Sequence, residues 1–260
     1  MTPPEDTRAE ACAATIWDAW TSGTRLGALP DSIRPTTSDD GRRAQRALAE
    51  HAGHSYGWKL AATAQAGQAH IGVDGPLAGP LFERFRYEPG AVLPSHDLHM
   101  RVTEAEFAFR MARDVPADAT DTEIVDAIAA LHLAMEIPDS RFVDYAAVGG
   151  PSLLADAACA GMFVLGPAVS DWHGEALADR ATTILVNGEP AAHGSGGAVL
   201  GDPAHALRWL VHDLARHGET LRAGDIVTTG TTTAPPPIGA GDSVRADFGD
   251  YGTVELSFHR

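Results

Sequence analysis

The stretch Val102-Thr-Glu-Ala-Glu-Phe-Ala-Phe-Arg-Met111 limits the possible folds more than any other part of the chain. In an extended strand successive side chains alternate faces, so Ala105, Phe107, Phe109 and Met111 make one apolar face that needs a core. Glu104 and Glu106 then stand on the other face, roughly 6–7 Å apart at their Cα atoms. Two like charges that close repel unless a cation lies between them. A third carboxylate, Glu136, ends the short apolar run Leu131 to Met135 and offers a further oxygen donor. Hard oxygen donors of this kind suit Mg²⁺ or Mn²⁺ rather than Zn²⁺. Glu-x-Glu on a strand is more often a solvated edge than a ligand pair, and from these residues alone both readings stand.

At 260 residues the chain has room for one large domain, or one domain with a helical appendage, around a sizeable core. It has no apolar run of about 18 residues, so no membrane span is expected. The opening Met-Thr-Pro-Pro-Glu-Asp lacks the basic and apolar regions of a signal peptide, and a cytoplasmic location is expected. Two cysteines, Cys12 and Cys159, are too few for a disulfide framework and lack Cys-x-x-Cys spacing; both read as small buried side chains. With 19 Lys plus Arg against 35 Asp plus Glu, the formal charge of −16 argues against nucleic acid or an anionic membrane surface as partner.

Helical periodicity runs over residues 7 to 20, with Cys12, Ile16, Ala19 and Trp20 spaced to share a face. Ser38-Asp-Asp offers N-caps for a second helix through Leu48. Tyr56-Gly-Trp-Lys-Leu-Ala-Ala reads as a strand and carries Lys59, the only lysine in the chain. Lysine, unlike arginine, can lose its proton beside a cation or an apolar wall, which makes Lys59 a candidate general acid or base; snorkelling to the surface is the structural alternative. Thr120-Asp-Thr-Glu is a capping box expected to open a helix through about Leu131. Residues 162 to 168 and 181 to 187 read as strands, the second turning at Asn187-Gly-Glu-Pro. The glycine-rich run Gly194 to Pro203 lacks both Gly-x-Gly-x-x-Gly and a Gly-Lys-Ser/Thr ending, so no nucleotide site is read there. Asp202 as N-cap, Pro203, and the stripe Leu207, Leu210, Val211 and Leu214 define a helix that ends near Gly218. Three short strands follow. The twelve histidines show no metal-ligand spacing beyond the weak pair His96 and His99.

Glu-x-Glu followed some thirty residues later by Glu-x-x-Asp-Ser-Arg resembles the fumarylacetoacetate hydrolase superfamily, and within it the 2-keto-4-pentenoate hydratase and 4-oxalocrotonate decarboxylase branch. Gly57-Trp-Lys-Leu-Ala-Ala-Thr, Ile71-Gly-Val-Asp-Gly-Pro-Leu-Ala-Gly79 and the closing strands are similar to that branch too. The resemblance covers about residues 56 to 260. It implies a mixed α/β fold with a rolled mixed β-sandwich core, a helical appendage at residues 1 to 55, and a homo-oligomer. It also implies Glu104, Glu106 and Glu136 as ligands of Mg²⁺ or Mn²⁺, Lys59 in the active site, and Thr231 of the Thr-Gly-Thr turn as a contact for a substrate carboxylate. A turn-satisfying hydroxyl is the alternative for Thr231.

Two departures stand out. Leu77 occupies the place where hydratases of the branch carry Asp in Pro-Asp-Phe-Gly or Pro-Asp-Tyr-Gly, and Asp74 is the candidate to compensate, although a tight turn explains it as well. Ala157 and Cys159 replace the usual Asn and Ser of Asp-Asn-Ala-Ser-Ala-Gly. Asp139 and Arg141 are expected to brace the Glu136 loop. The implied activity is a lyase of aromatic catabolism, hydratase-like, that works on a small 2-oxo acid through a metal-stabilised enolate. Decarboxylation of an oxalocrotonate-type acid and C–C hydrolysis of an acylpyruvate share that enolate and remain alternatives, as does a catalytically impaired binding partner on the same fold.

Overall fold

The apolar face of the 102–111 stretch does find a core, in the middle of a sandwich of two sheets. The computed structural model describes residues 4–96, 98–170, 172 and 174–260, so the first three residues of the opening segment lie outside the described residues. In chain order the elements are α1 (Glu5–Ser22), α2 (Ser38–Ala52), β1 (Ser55–Ala61), α3 (Gln65–Ile71), β2 (Leu77–Phe82), β3 (Arg86–Tyr87), β4 (Val92–Leu93), β5 (Glu104–Met111), α4 (Asp121–Asp126) and β6 (Ile128–Ile137). There follow α5 (Gly150–Ala155), β7 (Met162–Ala168), β8 (Ala181–Val186), β9 (Glu189–Ser195), α6 (Pro203–Arg216), β10 (Ile226–Thr231), β11 (Ser243–Asp247) and β12 (Thr253–Phe258).

Seven strands form one sheet in the order β2-β1-β10-β5-β6-β7-β3, and five form the other in the order β4-β12-β11-β8-β9. Phe107, Phe109, Leu131, Leu133 and Val164 of the first sheet meet Ile184, Val244, Val254 and Leu256 of the second, and Leu207, Leu210 and Leu214 of α6 close the same core. The seven-stranded sheet is so curled that Tyr56, at β1, and Phe163, on β7, lie 6.5 Å apart between ring centroids although β10, β5 and β6 separate their strands. Leu81, Ala108, Ala134, Phe163, Leu165 and Ile226 fill this concave side. This is the mixed α/β, rolled β-sandwich with N-terminal helices that the sequence leads one to expect.

Helices α1 and α2 bury Cys12, Ala13, Ile16, Ala44 and Leu48 in a second cluster that takes in Phe82, Phe142, Ala155, Ala157 and Ala160. Arg42 on α2 pairs with Asp213 on α6, and both are buried. Both cysteines are buried and free. Among the described residues no helix is long and apolar enough to cross a membrane.

Two expectations about element ends are corrected. The N-cap of α2 is Thr37, not Ser38: its hydroxyl accepts from Asp40 N at 3.1 Å, and the Asp40 carboxylate reaches back to Thr37 N at 3.2 Å. The Thr120 capping box forms, with Glu123 as its partner, but α4 stops at Asp126 and residues 128 to 131 already belong to β6. Their backbone pairs with β5, Phe109 facing Leu131 and Met111 facing Ile128, and long-range pairing there outweighs local helical preference.

Candidate active site

Antiparallel pairing of β5 with β6 sets Glu104 directly opposite Glu136 and Glu106 opposite Ala134. Side chains opposed across a ladder project to the same face, so the third carboxylate joins the other two on the concave side of the sheet. One carboxylate oxygen from each of Glu104, Glu106 and Glu136 lies within 4.8 Å of the others. Glu106 is 0% and Glu136 1% exposed, while Glu104 is half-buried, so the cluster opens to the outside on the Glu104 side.

Few protein groups satisfy these oxygens. Glu106 Oε2 accepts a hydrogen bond from Gly230 N at 2.9 Å, whereas Glu106 Oε1 and Glu136 Oε2 are buried and accept none, and Glu136 Oε1 has only its ion-pair contact with Lys59. The β10–β5 register shifts between Thr228 and Thr231, and this irregularity turns the Gly230 amide toward Glu106. Gly230 has φ of 103°, and a Cβ there would lie 2.1 Å from Thr63 Oγ1, so only glycine fits.

Burial pushes the Glu104 carboxyl above its ordinary value, with the Lys59 ammonium pulling the other way. In Glu106 burial is reinforced by the neighbouring charges of Glu136 and Glu104, and the carboxyl is raised well above the usual range. Glu136 is pushed up to about 7, by burial first and against the pull of Lys59. Buried unpartnered oxygens, and carboxyls raised by burial and, at Glu106 and Glu136, by neighbouring carboxylates, are what a cation among them would relieve, so the donor set fits a hard divalent ion.

Lys59, 2% exposed, reaches the cluster from β1. Its Nζ donates to Ala158 O at 3.0 Å and lies 3.1 Å from Glu136 Oε1, an ion-pair contact. Burial works against this ammonium, but Glu136 and then Glu104 outweigh it, so its pKa is raised in the arrangement of protein groups alone. Thr231 pairs with Glu106 across the β10–β5 ladder, and its hydroxyl donates to Thr233 O at 2.9 Å, the turn-satisfying role. Asp74 is exposed on the bend before β2 and is no member of the buried cluster.

Around Lys59 the wall is apolar. Leu77, directly opposite Ala61 in the β1–β2 pair, packs with Leu153, Leu154, Ala158 and Cys159. The Cys159 thiol is pushed up to about 12 by burial and then by Asp156, so it stays a neutral thiol. Asp139 and Arg141 brace the loop after Glu136, each with a separate partner. Asp139 binds Arg25 at 2.9 Å and accepts from the His99 and Met100 amides at 2.8 and 2.9 Å, while Arg141 pairs with Asp156.

Sequence reasoning missed the Gly230 amide and the Ala158 carbonyl, because backbone groups leave no residue-type signature. For the first, Gly230 with its φ of 103° was the available signal.

The pattern of the family described as Fumarylacetoacetate (FAA) hydrolase C-terminal matches residues 45–258. The chain belongs to the fumarylacetoacetate hydrolase family. Among members of that family it is similar to a 2-keto-4-pentenoate hydratase of Paraburkholderia xenovorans, with 28% identity over 99% of this chain and 96% of that one. A 2-keto-4-pentenoate hydratase of Burkholderia vietnamiensis is 34% identical over 78% of this chain and 77% of its own. The solved structure of 4-oxalocrotonate decarboxylase from Pseudomonas putida G7, complexed with magnesium and adipate, superposes with a TM-score of 0.87 at 27% identity and covers 97% of both chains. This family member therefore shares its overall fold, along nearly the whole chain, with a decarboxylase whose structure holds magnesium.

Proposed function

We propose that this chain is a divalent-metal-dependent lyase of the 2-keto-4-pentenoate hydratase type, acting on a small 2-oxo acid in its 2-hydroxy-dienoic form. The observation that carries the reading is the meeting of Glu104, Glu106 and Glu136 within 4.8 Å, with the only lysine of the chain 3.1 Å from Glu136. The magnesium of the P. putida G7 decarboxylase and the hydratase names of the relatives support it. A complete trio beside a buried lysine favours an enzyme over an impaired binding partner.

Glu104, Glu106 and Glu136 would hold Mg²⁺ or Mn²⁺. When bound, such a cation draws electron density onto the carboxylate and 2-oxo oxygens of a 2-oxo acid and so eases loss of a proton from the neighbouring carbon. The chain's own groups do the rest. Lys59 Nζ holds or moves that proton, as the titratable nitrogen that, among the described residues, is buried against the cluster. Thr231, beside Glu106, can turn its hydroxyl from Thr233 O to a substrate carboxylate. Glu104 lines the side on which substrate enters. The apolar wall of Leu77 and Cys159 keeps water from Nζ. With a formal charge of −16, the protein attracts an anionic substrate only through the local positive charge of Lys59 and the metal.

Asp74 has no part in this scheme. Its exposure, and Leu77 in place of the usual acid, favour a second reading, decarboxylation of an oxalocrotonate-type 2-oxo acid, which needs no acid at that position to direct water. A cytoplasmic homo-oligomer engaged in aromatic catabolism belongs to the same proposal.

Product analysis separates the readings. Incubated with Mg²⁺ and 2-hydroxypenta-2,4-dienoate, the protein should form the 4-hydroxy-2-oxo acid. Release of carbon dioxide from an oxalocrotonate, with no hydration, would move the assignment to the decarboxylase.

A further inference from the structure

Ala157, Ala158 and Cys159 have φ of 51°, 52° and 61°, three consecutive left-handed residues of which none is glycine. L-residues enter this region singly, because Cβ crowds the following carbonyl oxygen, and a run of three persists only where its surroundings over-determine it. Here they do. The Asp156 carboxylate accepts from Ser140 Oγ at 2.7 Å, from Arg141 N at 3.0 Å and from Arg141 Nε. Arg141 Nη2 donates to Asp156 O at 2.7 Å and Nη1 to Ala160 O at 2.8 Å, so one guanidinium ties the residues before and after the turn together. Trp20 lies 3.7 Å beneath that guanidinium. Cys159 O accepts from Asp139 N at 3.0 Å, and Ala157 O presses on Gly79, where a Cβ would lie 1.9 Å from it.

What all this bracing delivers is one carbonyl. Ala158 O accepts from Lys59 Nζ at 3.0 Å, and Lys59 is the residue directly opposite Gly79 in the β1–β2 ladder. A lysine ammonium sits on a flexible four-carbon stem and carries three donors. One is taken by Ala158 O and a second faces Glu136 Oε1, so the third is left for substrate. A right-handed turn at Ala157–Cys159 would aim the carbonyl elsewhere and release the stem.

We propose that the left-handed turn Ala157–Cys159 positions Lys59, and that Asp156 and Arg141 are positioning residues acting on Nζ through it. The inference rests on the reading of Lys59 as the proton carrier. It accounts for a strained, glycine-free turn beside a reacting group, for the glycine at position 79, and for a buried ion pair that touches neither the lysine nor the carboxylates.

The test uses the full chain with Mg²⁺ and follows deuterium incorporation next to the keto group of 2-oxopentanoate, with calorimetric Mg²⁺–oxalate binding as a second readout. Valine, which is β-branched, is excluded from positive φ. Ala158→Val should therefore lower kcat for exchange about 100-fold, the order expected of a reacting group misplaced by about an ångström. KM should move by less than about threefold and joint Mg²⁺–oxalate binding should hold, because chelation carries most of the binding of such an acid and a displaced ammonium keeps its charge in the pocket. Ala158→Gly should recover most of the loss. In a Lys59→Met background Ala158→Val should do no further harm, since its effect passes through the absent ammonium. Should Ala158→Val fail to fold, Asp156→Asn carries the same expectations. Undiminished exchange in a folded Ala158→Val protein, or an equal proportional loss in the Lys59→Met background, overturns the inference alone. Full exchange in Lys59→Met overturns the reading of Lys59 and this inference with it.

Discussion

Lys59 Nζ lies 3.1 Å from Glu136 Oε1 with both side chains buried. Deleting the ammonium should therefore separate two functions that the cluster combines. Lys59→Met is expected to leave Mg²⁺ binding in place and to lower proton exchange at the substrate carbon by roughly 10²–10⁴-fold, the range of general acid–base catalysis. Deuterium incorporation followed by NMR measures it, and exchange at the wild-type rate removes Lys59 from the chemistry.

Glu106 has one oxygen on the Gly230 amide and the other buried without a partner. Glu106→Gln keeps the shape and removes the charge. Affinity for Mg²⁺ should fall by roughly 10²-fold or more, beyond what loss of an outer-shell group costs, and Mg²⁺-dependent turnover should disappear. Activity measured over a Mg²⁺ titration checks this; a variant as active as wild type at low Mg²⁺ is incompatible with a ligand role.

Without metal, the three carboxyls are raised mainly by burial. A carboxyl whose folded pKa is raised binds its proton more tightly when folded. Its contribution to stability is fully present below the unfolded value and is lost as pH rises through the folded one. For Glu136 that window runs from 4.5 to about 7. The Tm of the metal-free protein should fall across this window more steeply than that of Glu136→Gln. Added Mg²⁺ should raise the Tm most at the upper end, where the carboxylates are ionised. Parallel curves for the two proteins would show that Glu136 does not titrate there.

A Cβ on Gly79 would sit 1.9 Å from Ala157 O, a backbone atom that cannot swing aside. Gly79→Ala should destabilise the protein by about 3 kcal/mol or more, at the upper end of overpacking costs. Thermal unfolding against Gly72→Ala, where a Cβ meets open space and only a positive φ of 65° opposes it, separates crowding from backbone preference. Equal losses in the two variants would mean that Ala157 yields.

The parts of this molecule legible in the sequence are those that repeat a local rule. Alternation over 102–111 located β5 and both of its faces, the Asp202-Pro203 start located α6, and Asn187-Gly188 located a hairpin whose two turn residues have φ of 54° and 86°. Carboxylate spacing, read with the family resemblance, named Glu136 as the third member of the cluster, and the antiparallel register delivers it opposite Glu104. Long-range pairing was invisible: the Thr120 capping box said where a helix begins but not that β5 would claim Ile128 to Leu131 as strand. Asp74, near Leu77 in the chain and weighed against a turn role, is exposed on the bend after α3, outside the buried cluster. The Ala158 carbonyl had no signature at all, since Ala-Ala-Cys gives no hint of a left-handed run that only Arg141 and Asp156 make possible.

Calorimetric titration with Mg²⁺ and oxalate, a mimic of a chelating 2-oxo acid, tests the central claim most directly. Wild-type protein should bind oxalate only with Mg²⁺ present, and Glu106→Gln and Glu136→Gln should lose that joint binding. Oxalate bound equally well without Mg²⁺, or joint binding that survives in both variants, would contradict a metal centre built by Glu104, Glu106 and Glu136.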